Sequence, residues 1–388
     1  MKNWGLALVA GLFLLACNQP QKITTDMKQI KWDTLAVIPP ASGDTIQYGL
    51  AGPVAGACQD YLLVGGGSNF EDAMPWNGGT KRYHDRIYRL SRKDGQLSWA
   101  QPGWKLPLAM AYSACLSTEQ GIYSLGGETA DGPVANAFRL RVDGDSLQLD
   151  ELPDLPVAVT SGGAALIGST IYVVGGIDVD GASKHCFALD TEAPDAGWQI
   201  LPSLPVPLSH AVVAAQSDGD ETCIYVLGGR NKSGITSTFL SDIWKYSPSK
   251  QQWSKAGELK LDGQAPFGLS AGTGLPYGDQ DILVFGGDKG NIFNETERLI
   301  DAAAKAETDE ERAKYQAQKI KNLTSHPGFC KDVYLFNCLT GELTLAGEIG
   351  GDTQVTTTAF WWNGQIIIPG GEVRPGVRSK LVTQGTLE

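Results

Sequence analysis

The chain of 388 residues has few histidines and no excess of positive charge. None of its four histidines is spaced as a metal-ligand pair, so the sequence predicts no zinc site and argues against a copper oxidase. The net charge of −12 offers no basic surface to a phosphate backbone, so nucleic acid is not an expected partner. No phosphate-binding loop and no GxSxG motif occur, which removes two common classes of enzyme.

The seven cysteines show no CxxC spacing. Cys58, Cys115 and Cys223 lie in apolar, strand-like runs, which indicates buried free thiols. A disulfide between Cys330 and Cys338 is compatible with an exported protein, but the spacing does not decide it.

The longest N-terminal apolar run, residues 4–16, is too short to span a bilayer and follows a basic start, as in a secretory signal. Its ending, Leu-Leu-Ala-Cys, resembles the bacterial lipobox, which implies lipidation of Cys17. We therefore expect a signal peptide at 1–17, a linker at 18–29 and a folded domain at 30–388. The expected location is that of an exported lipoprotein, periplasm-facing or anchored in the outer membrane, touching the membrane only through its lipid. A plain signal peptide with a chance cysteine is the alternative.

What the chain has in abundance is glycine, 48 residues, much of it in a repeat. Six apolar runs each end in a glycine pair, and each pair is followed by a loop, a further strand, and then a turn leading to Trp or Leu. The pairs are Gly65-Gly66, Gly126-Gly127, Gly175-Gly176, Gly228-Gly229, Gly286-Gly287 and Gly370-Gly371. Four short antiparallel strands in each unit of about 50 residues predict an all-β, six-bladed β-propeller, and the pattern resembles the Kelch repeat.

The first and last units are incomplete in complementary ways. After the sixth glycine pair the chain supplies one more strand and stops, whereas residues 30–40, IKWDTLAVIPP, form a strand with no glycine pair before it. We therefore expect the segment from Trp32 to Pro40 to complete the last blade and close the ring, which would remove exposed sheet edges.

The fifth unit carries an insertion at about 295–322 that is rich in Ala, Glu, Lys and Arg. This composition predicts a helical hairpin broken near Glu307-Thr308-Asp309. The hairpin is either a solvated decoration or a lid over one end of the propeller.

Propellers carry function in loops at one end of the channel, which directs attention to the residues just past the glycine pairs. Three of these loops together resemble the N-acetylneuraminate (sialic acid) mutarotase family of six-bladed Kelch propellers. They read GGSNF…PWNGGTKRYHD, GGDKGNIFN and GGEVRPGVR. The last two stand at the end of the chain, as in the cyclically permuted group of that family.

The resemblance implies a catalytic pair, Glu372 and Arg378, and an activity that interconverts the α and β anomers of sialic acid or a related sugar acid without a cofactor. Opening a cyclic ketose requires one group to take the anomeric hydroxyl proton and another to protonate the ring oxygen, and a carboxylate can do the first. A guanidinium can hold the carboxylate of the sugar. Arg82 could do so as well, and Asn69, Asn291 and Asn294 could bind its hydroxyl groups.

Other interpretations remain open. Asn in turns is often present for its backbone geometry, and the arginines could form surface ion pairs. A non-catalytic Kelch module that binds glycan or protein is the main alternative function. A sialidase is disfavoured because the Asp-box pattern is absent from the chain. The oligomeric state is not predicted.

Overall fold

The computed structural model of the protein describes residues 28–100 and 103–388. These residues form six four-stranded antiparallel sheets, together with two helices and short two-stranded ribbons. The predicted six-bladed β-propeller is thus confirmed. The expected signal peptide and Cys17 lie outside the described residues, and no helix within them is long and apolar enough to cross a membrane.

The six blades follow one another along the chain, and the four strands of each run in order from the central channel to the outer rim. Blade 1 contains Val54–Cys58, Tyr61–Gly65, Ile87–Lys93 and Gln96–Ala100. Blade 2 contains Ala114–Thr118, Gly121–Leu125, Ala137–Asp143 and Ser146–Leu152. Blade 3 contains Gly163–Ile167, Thr170–Val174, Cys186–Asp190 and Gln199–Ile200. Blade 4 contains Val212–Ser217, Thr222–Leu227, Asp242–Ser247 and Gln252–Glu258. Blade 5 contains Thr273–Tyr277, Asp281–Phe285, Asp332–Asn337 and Leu343–Glu348. Blade 6 contains Phe360–Trp362, Gln365–Pro369, Leu381–Leu387 and Ile30–Val37.

The hydrophobic core lies between the blades. Six clusters of buried apolar side chains occur, and each joins one blade to the next, so both faces of every sheet are covered. Large side chains such as Tyr123, Tyr225 and Tyr334 are fully buried in these contacts. Burial on two faces explains why the second strands read as continuous apolar runs.

The N-terminal strand closes the ring, as predicted. Ile30–Val37 pairs antiparallel with Leu381–Leu387 and forms the outer edge of blade 6. Trp32 on this strand packs edge-to-face against Phe285 of blade 5, with ring centroids 5.7 Å apart. The closing strand therefore also joins two blades.

A glycine pair follows the second strand of every blade, and one prediction of register was wrong. In blade 1 the pair equivalent to the others is Gly66-Gly67, with φ of +63° and +85°, because Gly65 is still part of the strand. The left-handed backbone favours glycine, and the neighbouring blade leaves no room for a side chain. A Cβ on Gly126 would lie 2.4 Å from the carbonyl oxygen of Val159 in the next blade.

A closed ring of six backbone hydrogen bonds surrounds the central channel. Each blade contributes a single residue from the segment that precedes its first strand. The carbonyl of this residue accepts a hydrogen bond from the next blade, and its N–H donates one to the previous blade, over 2.7 to 2.9 Å. All six residues have a φ between +51° and +62°. These residues, called the axial ring below, are Gly52, Tyr112, Ser161, His210, Ala271 and Thr356. The ring divides the channel into two halves, a mouth on the side of the glycine pairs and a cavity on the other.

Five blades extend from the glycine pairs as short ribbons on the mouth side, and blade 5 carries the helical hairpin instead. Helix α1 spans Asn291–Lys305 and helix α2 spans Asp309–Thr324, which confirms the predicted insertion and the break between the helices. Glu297 of α1 attaches the hairpin to blade 4, where it accepts hydrogen bonds from the backbone N–H and hydroxyl of Ser237 and from Lys232.

The six cysteines in the described part of the chain are free thiols, including Cys330 and Cys338. Burial raises the pKa of the Cys186 and Cys223 thiols to about 12, so these groups stay protonated at neutral pH.

Candidate active site

The residue after each glycine pair occupies the same place in all six blades. Each forms an isolated β-bridge with the residue just before the axial-ring residue of its own blade. All six therefore lie just above that ring, at the mouth. These floor positions are Ser68, Glu128, Ile177, Arg230, Asp288 and Glu372. Four of the six carry ionisable side chains, three of them in the adjacent blades 4, 5 and 6.

Glu372 begins the ribbon of blade 6, and Arg378 ends it. The two residues are paired across the ribbon, and the guanidinium Nη1 of Arg378 donates to Oε1 of Glu372. The N–H of Gly376 in the turn donates to the same oxygen over 2.7 Å. Both bonds engage Oε1, and no donor among the described residues engages Oε2. One carboxylate oxygen is thus fixed while the other remains available.

The Arg378 side chain is only 5% exposed. Its guanidinium lies 4.9 Å from the ring centre of Phe70, which belongs to the long loop of blade 1. Its Nε is buried with no hydrogen-bond partner in the described part of the chain. Arg378 is thus enclosed by protein, whereas the side chain of Glu372 is 20% exposed.

The loop of blade 1 packs over the ribbon of blade 6. A Cβ on Gly376, whose φ is +77°, would lie 3.2 Å from Trp76 and 3.4 Å from Met74. Trp76 therefore holds the turn between Glu372 and Arg378 in place.

Arg230 occupies the floor position of blade 4. Its Nη2 lies 3.4 Å from Nε2 of His210, and its guanidinium lies 4.6 Å from the ring centre of Phe293 on α1. Burial lowers the pKa of Arg230, whereas the negative charges of Asp288, Glu297 and Glu372 act to raise it. Burial and Arg230 in turn hold the pKa of His210 well below its usual value, so His210 is a neutral acceptor.

His326 lies in the loop after α2 and is buried. Its Nδ1 accepts the N–H of Gly328, which assigns the ring proton to Nε2. Burial lowers the pKa of His326, with Asp288 and Glu372 acting in the opposite direction. This loop thus adds a neutral imidazole within electrostatic range of Glu372.

A second ion pair stands at the floor position of blade 2. Oε1 of Glu128 accepts from Lys81 over 3.0 Å and from Tyr83 over 2.5 Å. Burial, followed by the hydrogen bond to Glu128, raises the pKa of Tyr83 to about 12. Lys81 also lies 5.2 Å from the ring centre of Tyr112 in the axial ring.

The sequence model of the N-acetylneuraminate epimerase family matches residues 9–149 and 152–388, which is nearly the whole chain. The chain belongs to this family. Among curated proteins, the N-acetylneuraminate epimerase of Salmonella typhimurium is 29% identical over 161 residues, and that of Brucella melitensis biotype 1 is 33% identical over 159 residues. These alignments cover 41% and 36% of this chain and 40% of each relative, so the chain matches about two fifths of the length of either protein.

In this member of the N-acetylneuraminate epimerase family, the structure brings Glu372 and Arg378 into direct contact at the mouth. It places Asn69 in the interior, where its amide donates to the carbonyl of Gly49 and its Oδ1 contacts Nε2 of His84. Both ends of that side chain are thus engaged by the protein. Arg82 is half-exposed and pairs with Asp72 over 2.6 Å and with Glu71 over 3.5 Å.

The two remaining asparagines lie on the first turn of α1. Asn291 is exposed, whereas Asn294 is partly buried with an Oδ1 that has no partner among the described residues. Asn294 directly follows Phe293, whose ring centre lies 4.6 Å from the guanidinium of Arg230. The helical hairpin therefore contributes side chains to the mouth.

Sequence reasoning passed over Arg230, Asp288 and His326. A signal for the first two was present, because both follow a glycine pair in the same register as Glu372. His326 had no such signal, since only the folded loop brings it toward blade 6.

A cavity of about 830 Å³ lies on the other side of the axial ring and is lined mainly by small residues of the first strands. Glu119 is its one acidic lining residue. We place the site at the mouth, where carboxylates, cations and unpaired polar atoms converge. In the described part of the chain, no three His, Cys, Asp or Glu side chains are arranged to hold a metal ion.

Proposed function

We propose that the protein interconverts the anomers of N-acetylneuraminate or a closely related sugar acid at the mouth of the propeller. The observation that carries this proposal is the state of Glu372, whose Oε1 is fixed by Arg378 and Gly376 while Oε2 is available. Membership of the N-acetylneuraminate epimerase family supplies the class of substrate.

The reaction requires one proton to move between two oxygens. The sequence predicts separate groups for these two transfers, but one carboxyl group can perform both, because in the ring form the anomeric hydroxyl oxygen and the ring oxygen are bonded to the same carbon. Glu372 takes the hydroxyl proton as the bond from the anomeric carbon to the ring oxygen breaks, and it returns that proton to the ring oxygen. The product is an open-chain ketone. Rotation about the bond to the carbonyl carbon lets the ring close on either face by the reverse steps.

Arg378 acts in this mechanism as a positioning residue for Glu372. Its guanidinium is buried, contacts Phe70 and binds the carboxylate directly, so the rotamer of Glu372 is fixed before substrate arrives.

The test is the rate of anomer interconversion, measured by NMR exchange with N-acetylneuraminate, for the wild type and Glu372→Gln. General acid–base catalysis contributes about 10²- to 10⁴-fold, so we expect Glu372→Gln to lose at least about 100-fold. Equal acceleration by both proteins would exclude Glu372 from the chemistry.

Glu119→Gln is the matched control, because Glu119 lines the cavity on the far side of the axial ring. This variant should keep the wild-type rate. Binding of the sugar without any acceleration by the wild type would favour the non-catalytic binding module.

We also propose that the protein is an exported lipoprotein anchored through Cys17. Expression of the full chain in a bacterium with labelled palmitate should give a labelled protein, and Cys17→Ala should remove the label. Equal labelling of both would refute the anchor.

A further inference from the structure

Four arginines lie close to the mouth. Two of them are already paired with acids, and Arg374 is exposed to solvent. Arg378 binds Glu372, and Arg82 binds Asp72 and Glu71. Arg230 differs, because no carboxylate of the described residues lies within 4 Å of its guanidinium. Its one hydrogen-bonding neighbour there is the neutral ring of His210.

The position of Arg230 is fixed from below and from the side. It stands at the floor position of blade 4, bridged to Ser209, with His210 of the axial ring beneath it. Phe293 of α1 lies against the guanidinium plane at 4.6 Å. An arginine held on an aromatic ring is ordered before a ligand arrives, so little conformational entropy is lost on binding.

A desolvated guanidinium without a carboxylate partner destabilises the fold. Burial disfavours the charged form of Arg230 and so lowers its pKa. Asp288, Glu297 and Glu372 offset this cost only at a distance, and Glu297 is itself bound to Lys232. Such an unpaired cation is a natural site for an anionic group of a ligand.

We propose that Arg230 binds the carboxylate of the sugar acid and thereby selects acidic sugars. This inference rests on the proposed function for the class of ligand. Arg230 in blade 4 and Glu372 in blade 6 occupy equivalent floor positions on either side of Asp288. A sugar whose carboxylate is bonded to the anomeric carbon can place the carboxylate on Arg230 and the anomeric hydroxyl near Glu372. Arg230 then orients the reacting carbon.

The experiment compares N-acetylneuraminate with its methyl ester, which has the same ring but no negative charge. Binding is measured by calorimetric titration, and anomer interconversion by NMR exchange. The wild type should prefer the acid, and Arg230→Met should weaken binding of the acid by roughly 100-fold while changing binding of the ester little. Arg230→Lys keeps the charge and should retain part of the preference.

Arg82→Met and Arg374→Met are the matched controls. Arg82→Met tests whether Arg82, rather than Arg230, binds the carboxylate of the sugar. Arg374 is an exposed arginine on the ribbon of Glu372. Both should keep the preference for the acid. Loss of the preference in Arg82→Met and its retention in Arg230→Met would overturn the proposal.

Thermal unfolding supplies a readout that separates binding from a structural role. If Arg230 serves the ligand, removal of its desolvated charge should leave the unfolding temperature unchanged or raise it. A clear decrease together with an unchanged acid-to-ester ratio would show that Arg230 is structural, and would overturn the proposal. Arg230→Lys provides the comparison should Arg230→Met fail to fold.

The two proposals fail in different ways. A wild type that binds the acid but does not accelerate its interconversion refutes the catalytic function. The role of Arg230 is then tested only by the ratio of acid binding to ester binding in each variant. A wild type that accelerates the reaction while all arginine variants keep the preference for the acid refutes the role of Arg230 only.

Discussion

Residues other than glycine hold left-handed backbone at five of the six positions in the axial ring. Each costs about 1 kcal/mol or more relative to glycine, and a cyclic set of hydrogen bonds between blades fixes all six. Tyr112 and His210 in this ring also contact Lys81 and Arg230. The strained backbone thus supports the charged groups at the mouth.

Gly52 is the one glycine of the axial ring, and a Cβ at this position has no room. Its φ is +61°, and a Cβ would lie 2.6 Å from the backbone nitrogen of Tyr112. Gly144 has a similar φ of +57° in open surroundings, so Gly144→Ala measures the backbone cost alone. We expect Gly52→Ala to lower the free energy of unfolding by about 1–3 kcal/mol more than Gly144→Ala in urea denaturation. Equal losses would mean that the ring opens to accommodate the methyl group.

His210 should make stability depend on pH. Its folded pKa is depressed by burial and by Arg230, so below about pH 6.5 the unfolded state binds a proton that the folded state does not. The free energy of unfolding should therefore fall with decreasing pH, by up to about 1.4 kcal/mol per unit from this group.

His210→Asn removes the titrating group, and Asn tolerates left-handed backbone. Urea unfolding at pH 7, 6 and 5 should give a shallower decline for the variant than for the wild type. His84 and His326, whose pKa values burial also lowers, contribute equally to both proteins. Parallel declines would show that His210 is protonated in the folded state.

The contact between Glu372 and Arg378 was predictable in part, because Pro375-Gly376 between them is a turn signal that brings the two ends of a short ribbon together. The engagement of Asn69 and Arg82 was not predictable. Gly49 lies before the first strand of blade 1 and Asp72 lies ten residues before Arg82 in the long loop, so only the folded chain brings these partners together. Identical position in a repeat was the unused signal, and it identifies Arg230 and Asp288 without any structure.

At the scale of elements, composition predicted the helical hairpin but not its attachment. Ala, Glu and Lys favour helix irrespective of neighbours, whereas the contacts of Glu297 depend on a ribbon 60 residues earlier in the chain. Helix α1 is in this way attached to blade 4, and it contributes Phe293 and Asn294 to the mouth.

Glu297→Gln should loosen this attachment. The carboxylate accepts from the N–H and hydroxyl of Ser237 and pairs with Lys232, and its side chain is 11% exposed. We expect a loss of about 1–3 kcal/mol in the free energy of unfolding, because hydrogen bonds to a charged group are replaced by weaker ones. Glu295→Gln, whose surface pair with Arg298 is exposed, should lose less than about 1 kcal/mol. Similar losses would mean that α1 is held by apolar contacts alone.

At the scale of the whole molecule, the blades form a closed ring. Chain ends placed at another point of that ring should therefore leave the site unchanged. The N–H of Glu388 donates to the carbonyl of Gln29 over 2.9 Å, so the two outer strands of blade 6, Leu381–Leu387 and Ile30–Val37, end side by side. The equivalent strands of blade 1 are joined by Asp94-Gly95, with φ of +52° and +78°, as in a type I′ hairpin turn. An Asp-Gly linker from Glu388 to Gln29 should therefore complete blade 6 in the same way.

A circular permutant with this linker and new ends between the exposed Gln264 and Ala265 should fold and keep the rate of anomer interconversion within a few-fold of the wild type. Deletion of Ile30–Val37 is the opposing control. It leaves blade 6 with three strands and an uncovered edge, and it removes the contact of Trp32 with Phe285, so we expect aggregation or a much lower unfolding temperature. Circular dichroism and size-exclusion chromatography compare the three proteins. Because the permutant keeps all strands of the closed ring, its aggregation would show that the order of the blades along the chain matters to folding.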